Sequence, residues 1–148
     1  MSDTESPAQR PRAVLADDER LMREQLRARL AEVWPELDVV AEARNGLEAV
    51  QLVDQHRPDI VFLDIRMPGM NGLEAAQALA EDWPDGPGAA PFPLVVFVTA
   101  YDEYALQAFD RAAVDYLLKP VQPDRLAQTC ARLQAALAQR GNALGATV

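Results

Sequence analysis

Five short apolar runs alternate with five stretches of helical period along this chain, and that alternation limits its possible folds more than any other feature. The run Ile60-Val61-Phe62-Leu63 is continuous. It is bounded before by Arg57-Pro58 and after by a turn rich in proline and glycine. A run of that kind is a strand buried on both faces, hence central in a parallel sheet. Arg12 to Ala16, Leu94 to Val98 and Val114 to Leu118 have the same character, whereas Leu37 to Ala43 is flanked by charges and partly alternating, as at a sheet edge.

Between these runs the apolar period becomes helical. Arg20 to Trp34 carries Leu21/Met22, Leu26, Leu30 and Val33; Gly46 to His56 carries Ala49, Val50 and Val53; Leu73 to Trp83 carries Leu73, Ala76 and Leu79/Ala80. A short helix is expected over about Asp102 to Arg111. A last one runs from Pro123 to about Gln139, with Leu126, Cys130, Leu133 and Leu137 on one stripe. Strand and helix in alternation mean parallel strands joined by right-handed crossovers. The expected fold is therefore α/β, a flavodoxin-like, doubly wound (βα)5 with a parallel five-stranded sheet in the order 2-1-3-4-5. The alternation by itself is also compatible with other doubly wound orders.

With 148 residues the chain has the length of one domain. Residues 1–11 read as a disordered tail, 12–140 as the domain, and 141–148 as a frayed tail or the start of a linker. A net charge of -9 argues against a nucleic-acid or anionic-membrane surface within the chain. No apolar run approaches the roughly 20 residues of a membrane span, and the N-terminus lacks a signal-peptide core, so a cytoplasmic location is expected. Cys130, the one cysteine, falls on a helical apolar stripe and is expected to be core. Pro84 to Pro93 is a long, proline-rich loop.

The polar residues at the strand ends carry the chemistry. Strand 1 ends at Asp17-Asp18, strand 3 at Asp64, strand 4 at Thr99 and strand 5 at Lys119. In the order 2-1-3-4-5 these strands are neighbours and their carboxyl ends share one rim, where open α/β sheets place their sites. Three carboxylates close together raise one another's pKa. A hard divalent cation relieves that repulsion, and Mg²⁺ takes one or two carboxylates plus a phosphoryl oxygen. Metal and Lys119 would together offset the charge of an incoming phosphoryl group, and a carboxylate in line could act as nucleophile. Each residue alone has a plainer interpretation. Asp17-Asp18 could cap the first helix, Asp64 could form the Pro-Gly turn, and Thr99 and Lys119 could be ordinary turn residues.

Together the motifs resemble the receiver domain of two-component response regulators, over about Arg12 to Gln139. They are Leu15-Ala16-Asp17-Asp18-Glu19, the segment Leu63-Asp64-Ile65-Arg66-Met67-Pro68-Gly69-Met70-Asn71-Gly72, Val98-Thr99-Ala100 and Asp115-Tyr116-Leu117-Leu118-Lys119-Pro120. Tyr101-Asp102-Glu103-Tyr104-Ala105 adds a likeness to receivers that precede LytTR-type DNA-binding domains. No core motif residue departs from the pattern; the loop at Pro84 to Pro93 is longer than the family's.

The resemblance implies that Asp64 accepts a phosphoryl group from a phosphohistidine on a partner sensor histidine kinase. It implies Mg²⁺ held by Asp18, Asp64 and the backbone carbonyl of Arg66, with Asp17 acting largely through water. Lys119 would contact the acyl phosphate. Thr99 would bond a phosphoryl oxygen after transfer, and Tyr116 would turn inward as an aromatic switch. The Lys119-Pro120 bond would be cis. His56, the only histidine, ends a helix and is expected to face solvent, so the phosphodonor is another protein. The face made by the 102–111 helix, the fifth strand and the last helix carries Tyr104, Phe109, Asp110, Arg111, Asp115 and Arg125, which suits a homodimer formed on phosphorylation. DNA would be reached only through an output domain absent from this chain.

Two alternatives belong to other classes. One is a Mg²⁺-dependent phosphatase with an aspartyl nucleophile, although the acid such enzymes carry two residues after the nucleophile is here Arg66. The other is an interaction module with an inert rim.

Overall fold

The computed structural model describes residues 10–100 and 113–146. Every apolar run becomes a strand: β1 (Arg12–Ala16), β2 (Asp38–Ala43), β3 (Ile60–Asp64), β4 (Leu94–Thr99) and β5 (Asp115–Leu118). The helices between and after them are α1 (Arg20–Val33), α2 (Gly46–His56), α3 (Gly72–Asp82) and α4 (Pro123–Ala146). All pairings are parallel, in one sheet of order β2-β1-β3-β4-β5. The expected fold class and strand order are both observed. The helix expected over 102–111, with Tyr104, Phe109, Asp110 and Arg111, lies outside the described residues, as do residues 1–9.

The central strands are apolar on both sides because both sides are covered. Val14, Val61, Leu63, Val95 and Phe97 point into a core with Ala49, Val53, Ala76 and Leu79 of α2 and α3. Their neighbours Ala13, Leu15, Ile60, Phe62, Val96 and Val98 point the other way, against Leu30 of α1 and Leu126, Cys130 and Leu133 of α4. Each large side chain buried this way contributes on the order of 1.5–3 kcal/mol. Burial pushes the Cys130 thiol up to about 11, so it stays a neutral core group.

Some boundaries and facings differ from expectation. Leu21 is 65% exposed, and the stripe of α1 turned to the core starts instead at Met22, one residue or about 100° further round the helix. Residues 141–146 continue α4 as helix rather than fraying after Gln139. Two glycines do not end it, because extending a formed helix adds one hydrogen bond per residue. His56 is half-buried, and its carbonyl accepts a bond of 2.8 Å from Arg12 Nη1. The long loop is fastened at the amino-terminal edge of the sheet. Trp83 donates to the Ala90 carbonyl at 2.8 Å, stacks edge-on with Phe92 and lies under the Arg57 guanidinium.

Two helix starts grip the turn that follows β3. Asn71 and Glu74 form a reciprocal capping box at α3, and Asn45 caps α2. Both helices then begin with glycine because the backbone passes too close for a side chain. A Cβ on Gly72 would stand 2.1 Å from the carbonyl oxygen of Asp64, and one on Gly46 would stand 2.1 Å from that of Met70. Gly72→Ala should therefore lower stability by about 1–3 kcal/mol in urea unfolding, the range for overpacking a tight contact. An unchanged midpoint would show that the end of β3 yields freely.

Candidate functional site

Asp17, Asp64 and Lys119 arrive from three strand ends and meet. Lys119 Nζ lies 3.0 Å from Asp64 Oδ2 and 2.8 Å from Asp17 Oδ2, with Glu19 Oε1 further out at 3.9 Å. The side chains of Asp64 and Asp17 are 5% and 10% exposed and that of Lys119 16%, so the ammonium bridges two carboxylates largely out of water. Burial raises the Asp64 carboxyl to about 6; the Asp17 charge pushes the same way, and Lys119 and the Arg66 N–H only partly oppose it. Burial alone would lower Lys119, but its hydrogen bonds to Asp17 and Asp64 outweigh that and raise it.

The acid pair after β1 does not cap α1. Glu19 occupies the cap position without a side-chain bond, and Asp17 Oδ1 instead accepts the Glu19 N–H at 2.9 Å. That turn gathers Asp17, Asp18 and Glu19 so that one carboxylate oxygen of each lies within 4.8 Å of the others. Three carboxylates, those of Asp17, Asp64 and Glu19, thus lie within 3.9 Å of one ammonium at this rim, and Asp18 adjoins them. The donors are all hard oxygens, a set that fits Mg²⁺ and not a thiophilic metal. Glu19 received no role from the sequence, although it stands third in an unbroken acidic triplet.

Thr99 closes β4, fully buried, and its carbonyl accepts the Lys119 N–H at 2.9 Å. Tyr116 is half-buried in β5 and pairs in register with Phe97. Thr99 lies two residues beyond Phe97, so Thr99 and Tyr116 stand on the same face of the sheet. Arg66 is exposed, and its N–H reaches Asp64 Oδ1 at 3.3 Å. The Lys119-Pro120 peptide bond is cis. A groove of about 470 Å³ opens beside Asp17 and Lys119, between α1 and residues 120–123, with Met22, Leu26 and Val121 in its wall.

Asp115 and Arg125 are engaged within the chain. Asp115 is buried, and Arg125 grips both its oxygens at 2.7 and 3.0 Å, with the Thr129 hydroxyl at 2.7 Å and Arg132 at 2.8 Å. Burial would raise its pKa, but the bonds from Arg125, Thr129 and the Tyr116 N–H hold it below the usual carboxylate range. These bonds tie β5 to α4.

The sequence family described as Response regulator receiver domain matches residues 13–131. An uncharacterized response regulatory protein of Vibrio cholerae is 54% identical over 122 residues, which are 82% of this chain and 44% of that protein. The transcriptional regulatory protein BtsR of Escherichia coli is 42% identical over 123 residues, 83% of this chain and 48% of its own. The chain thus spans about half the length of these curated relatives. Among solved structures, the REC domain of AraT, a response regulator from Geobacillus stearothermophilus, superposes with a TM-score of 0.75 at 35% identity, covering 90% of this chain and 99% of that one. The response regulatory domain of mrkE from Klebsiella pneumoniae gives 0.73 at 29% identity, covering 86% and 98%.

Proposed function

The chain belongs to the response regulator receiver domain family, and from that premise we propose that Asp64 accepts a phosphoryl group from a partner sensor histidine kinase. The observation that carries this is the buried Asp64 carboxylate, 3.0 Å from Lys119, with its pKa raised to about 6. At pH 7 it is ionised by about ten to one and so available as nucleophile, yet poorly solvated. An Asp64 oxygen attacks phosphorus, the P–N bond of the phosphohistidine breaks, and its electron pair returns to the imidazole nitrogen. Because the phosphohistidine ring carries a proton on its other nitrogen, it leaves as neutral imidazole, and the product is an acyl phosphate on Asp64.

Lys119 leaves its shared position to bond the new phosphoryl oxygens. Asp18, Asp64 and the Arg66 carbonyl, with Asp17 through water and Glu19 at the margin, would hold Mg²⁺. When bound, the ion neutralises charge on the transferring group. Thr99 then turns its hydroxyl toward the phosphoryl group, and Tyr116, on the same face, follows inward. That shift in population is the signal. The groove beside Asp17 and Lys119 lets a partner reach the rim from the α1 side.

The output proposed is transcription, through a DNA-binding domain of LytTR type outside this chain. One relative of about twice the length is named a transcriptional regulatory protein, which supports that output. Receiver domains are signalling switches, and the chemistry proposed is confined to the chain's own phosphorylation and dephosphorylation, in the cytoplasm. Among the described residues no helix is long and apolar enough to cross a membrane.

Acetyl phosphate with Mg²⁺ should add one phosphoryl group by intact mass, and chelation of the metal should prevent it. No adduct, under conditions that label another receiver, overturns the proposal. Turnover of phosphomonoesters would favour the phosphatase alternative. Light scattering on the labelled sample tests the homodimer: an equal mass before and after labelling removes it.

A further inference from the structure

Every polar handle of Asp17 is held, each from a different place. Its N–H donates to the Ala43 carbonyl of β2 at 3.0 Å, Oδ1 accepts from Glu19, Oδ2 meets Lys119, and its carbonyl accepts from Arg23 Nη1 at 2.7 Å. Arg23 comes from the first turns of α1 and is 8% exposed, an unusual place for a guanidinium. Its other edge is fixed too, with Nε 3.0 Å from Glu42 Oε1. Arg27 holds the second Glu42 oxygen at 2.6 Å.

The route by which Glu42 gets there is a device of the sheet. The β1-β2 register jumps between Ala13 and Val14, pairing Ala13 with Val39 but Val14 with Ala41. Val39 packs on the α1 side, whereas Val40 and Ala41 both pack on the other side. Without the extra residue, strict alternation would point Glu42 away from α1. The bulge returns it to the α1 face, opposite Arg23, one residue before the carbonyl that receives the Asp17 N–H. Bulges near sites commonly re-aim a side chain in this manner.

We propose that Arg23, braced by Glu42, is a positioning residue that fixes the Asp17-Asp18-Glu19 corner in its cation-binding arrangement. This rests on the reading that the corner holds Mg²⁺. Arg23 bonds the Asp17 carbonyl, the backbone from which the carboxylates of that corner project.

Charge gives the test its sign. Removing a cation near a Mg²⁺ site should tighten binding if only Coulomb forces count. Removing a positioning group should weaken it, by about tenfold for a second-layer partner. Mg²⁺ titrated calorimetrically into the metal-free full chain should therefore bind Arg23→Met about tenfold more weakly than wild type. Arg27→Met, which removes an equal charge from the same network without touching Asp17, should bind as wild type or more tightly. Arg23→Lys keeps the charge but cannot hold the Asp17 carbonyl and Glu42 in one plane, so it too should weaken binding several-fold. If Arg23→Met does not fold, Arg23→Lys decides. Folded Arg23 variants with wild-type or tighter affinity overturn the proposal, whereas a wild type that binds no Mg²⁺ overturns the metal reading with it.

Discussion

Asp64→Asn is expected to lose all phosphoryl uptake and yet, free of metal, to be more stable than wild type by about 3 kcal/mol at pH 8. The physical cause is the carboxylate's burial. Asp64 titrates at about 6 in the fold against 3.8 for an ordinary aspartate, and each pH unit of displacement is worth about 1.4 kcal/mol. A carboxyl whose folded pKa is raised stabilises the fold fully below its unfolded pKa, and that contribution is lost as pH rises through the folded value. The loss therefore develops between about pH 4 and pH 6–7. Asparagine imitates the protonated form, keeps an oxygen for Lys119 and never pays this cost. Urea unfolding of both proteins across pH 4 to 8 in chelator should show curves that coincide at the acid end and separate upward. Parallel curves, or a wild type more stable at pH 8, would sink the argument. The same variant reports function: a phosphoryl adduct persisting in Asp64→Asn would place the acceptor elsewhere.

This trade of stability for a reactive carboxylate bears on what the sequence could disclose. Ile60 to Leu63 followed by Asp64 announces a buried strand ending in an acid, because apolar runs and Pro-Gly turns act locally. Lys119 before Pro120 could likewise be placed at a strand end, and the order 2-1-3-4-5 brought it to the same rim. What sequence could not give is which carboxylates the ammonium would bridge, since that depends on side-chain reach across β1, β3 and β5. Arg23 and Glu42 were invisible for a deeper reason. Their meeting depends on a bulge at Val40-Ala41, which is a property of strand pairing and not of the residues alone. Leu21/Met22 offered two residues for one core position and helical phase gave it to Met22, while Arg23, to which the sequence assigned nothing, is buried against a waiting carbonyl. The pairing of Asp115 with Arg125 and Arg132 could not be read either, because nothing local says that α4 will fold its arginines back over β5.

Lys119→Met should reveal how much the rim depends on its single ammonium. In wild type that group sits between two buried carboxylates, 2.8 and 3.0 Å away, and its raised pKa keeps it charged throughout the neutral range. For a lysine raised in this way, the stabilising contribution is complete below its unfolded pKa and is lost only at alkaline pH, as pH rises through the folded value. Methionine fills a similar volume but leaves Asp17 and Asp64 facing each other with no counterion. Removing one partner of a buried ion pair is destabilising by about 3–5 kcal/mol, and one carboxyl can relieve part of this by taking up a proton. The expected loss is thus about 3 kcal/mol at pH 8 in chelator, shrinking toward pH 5 as Asp64 protonates. Millimolar Mg²⁺ should restore more stability to the variant than to wild type, because the cation then meets carboxylates with no competing ammonium. A variant as stable as wild type at pH 8, or one that gains no more than wild type from Mg²⁺, would mean that Lys119 offsets nothing at this rim and serves only the phosphorylated state.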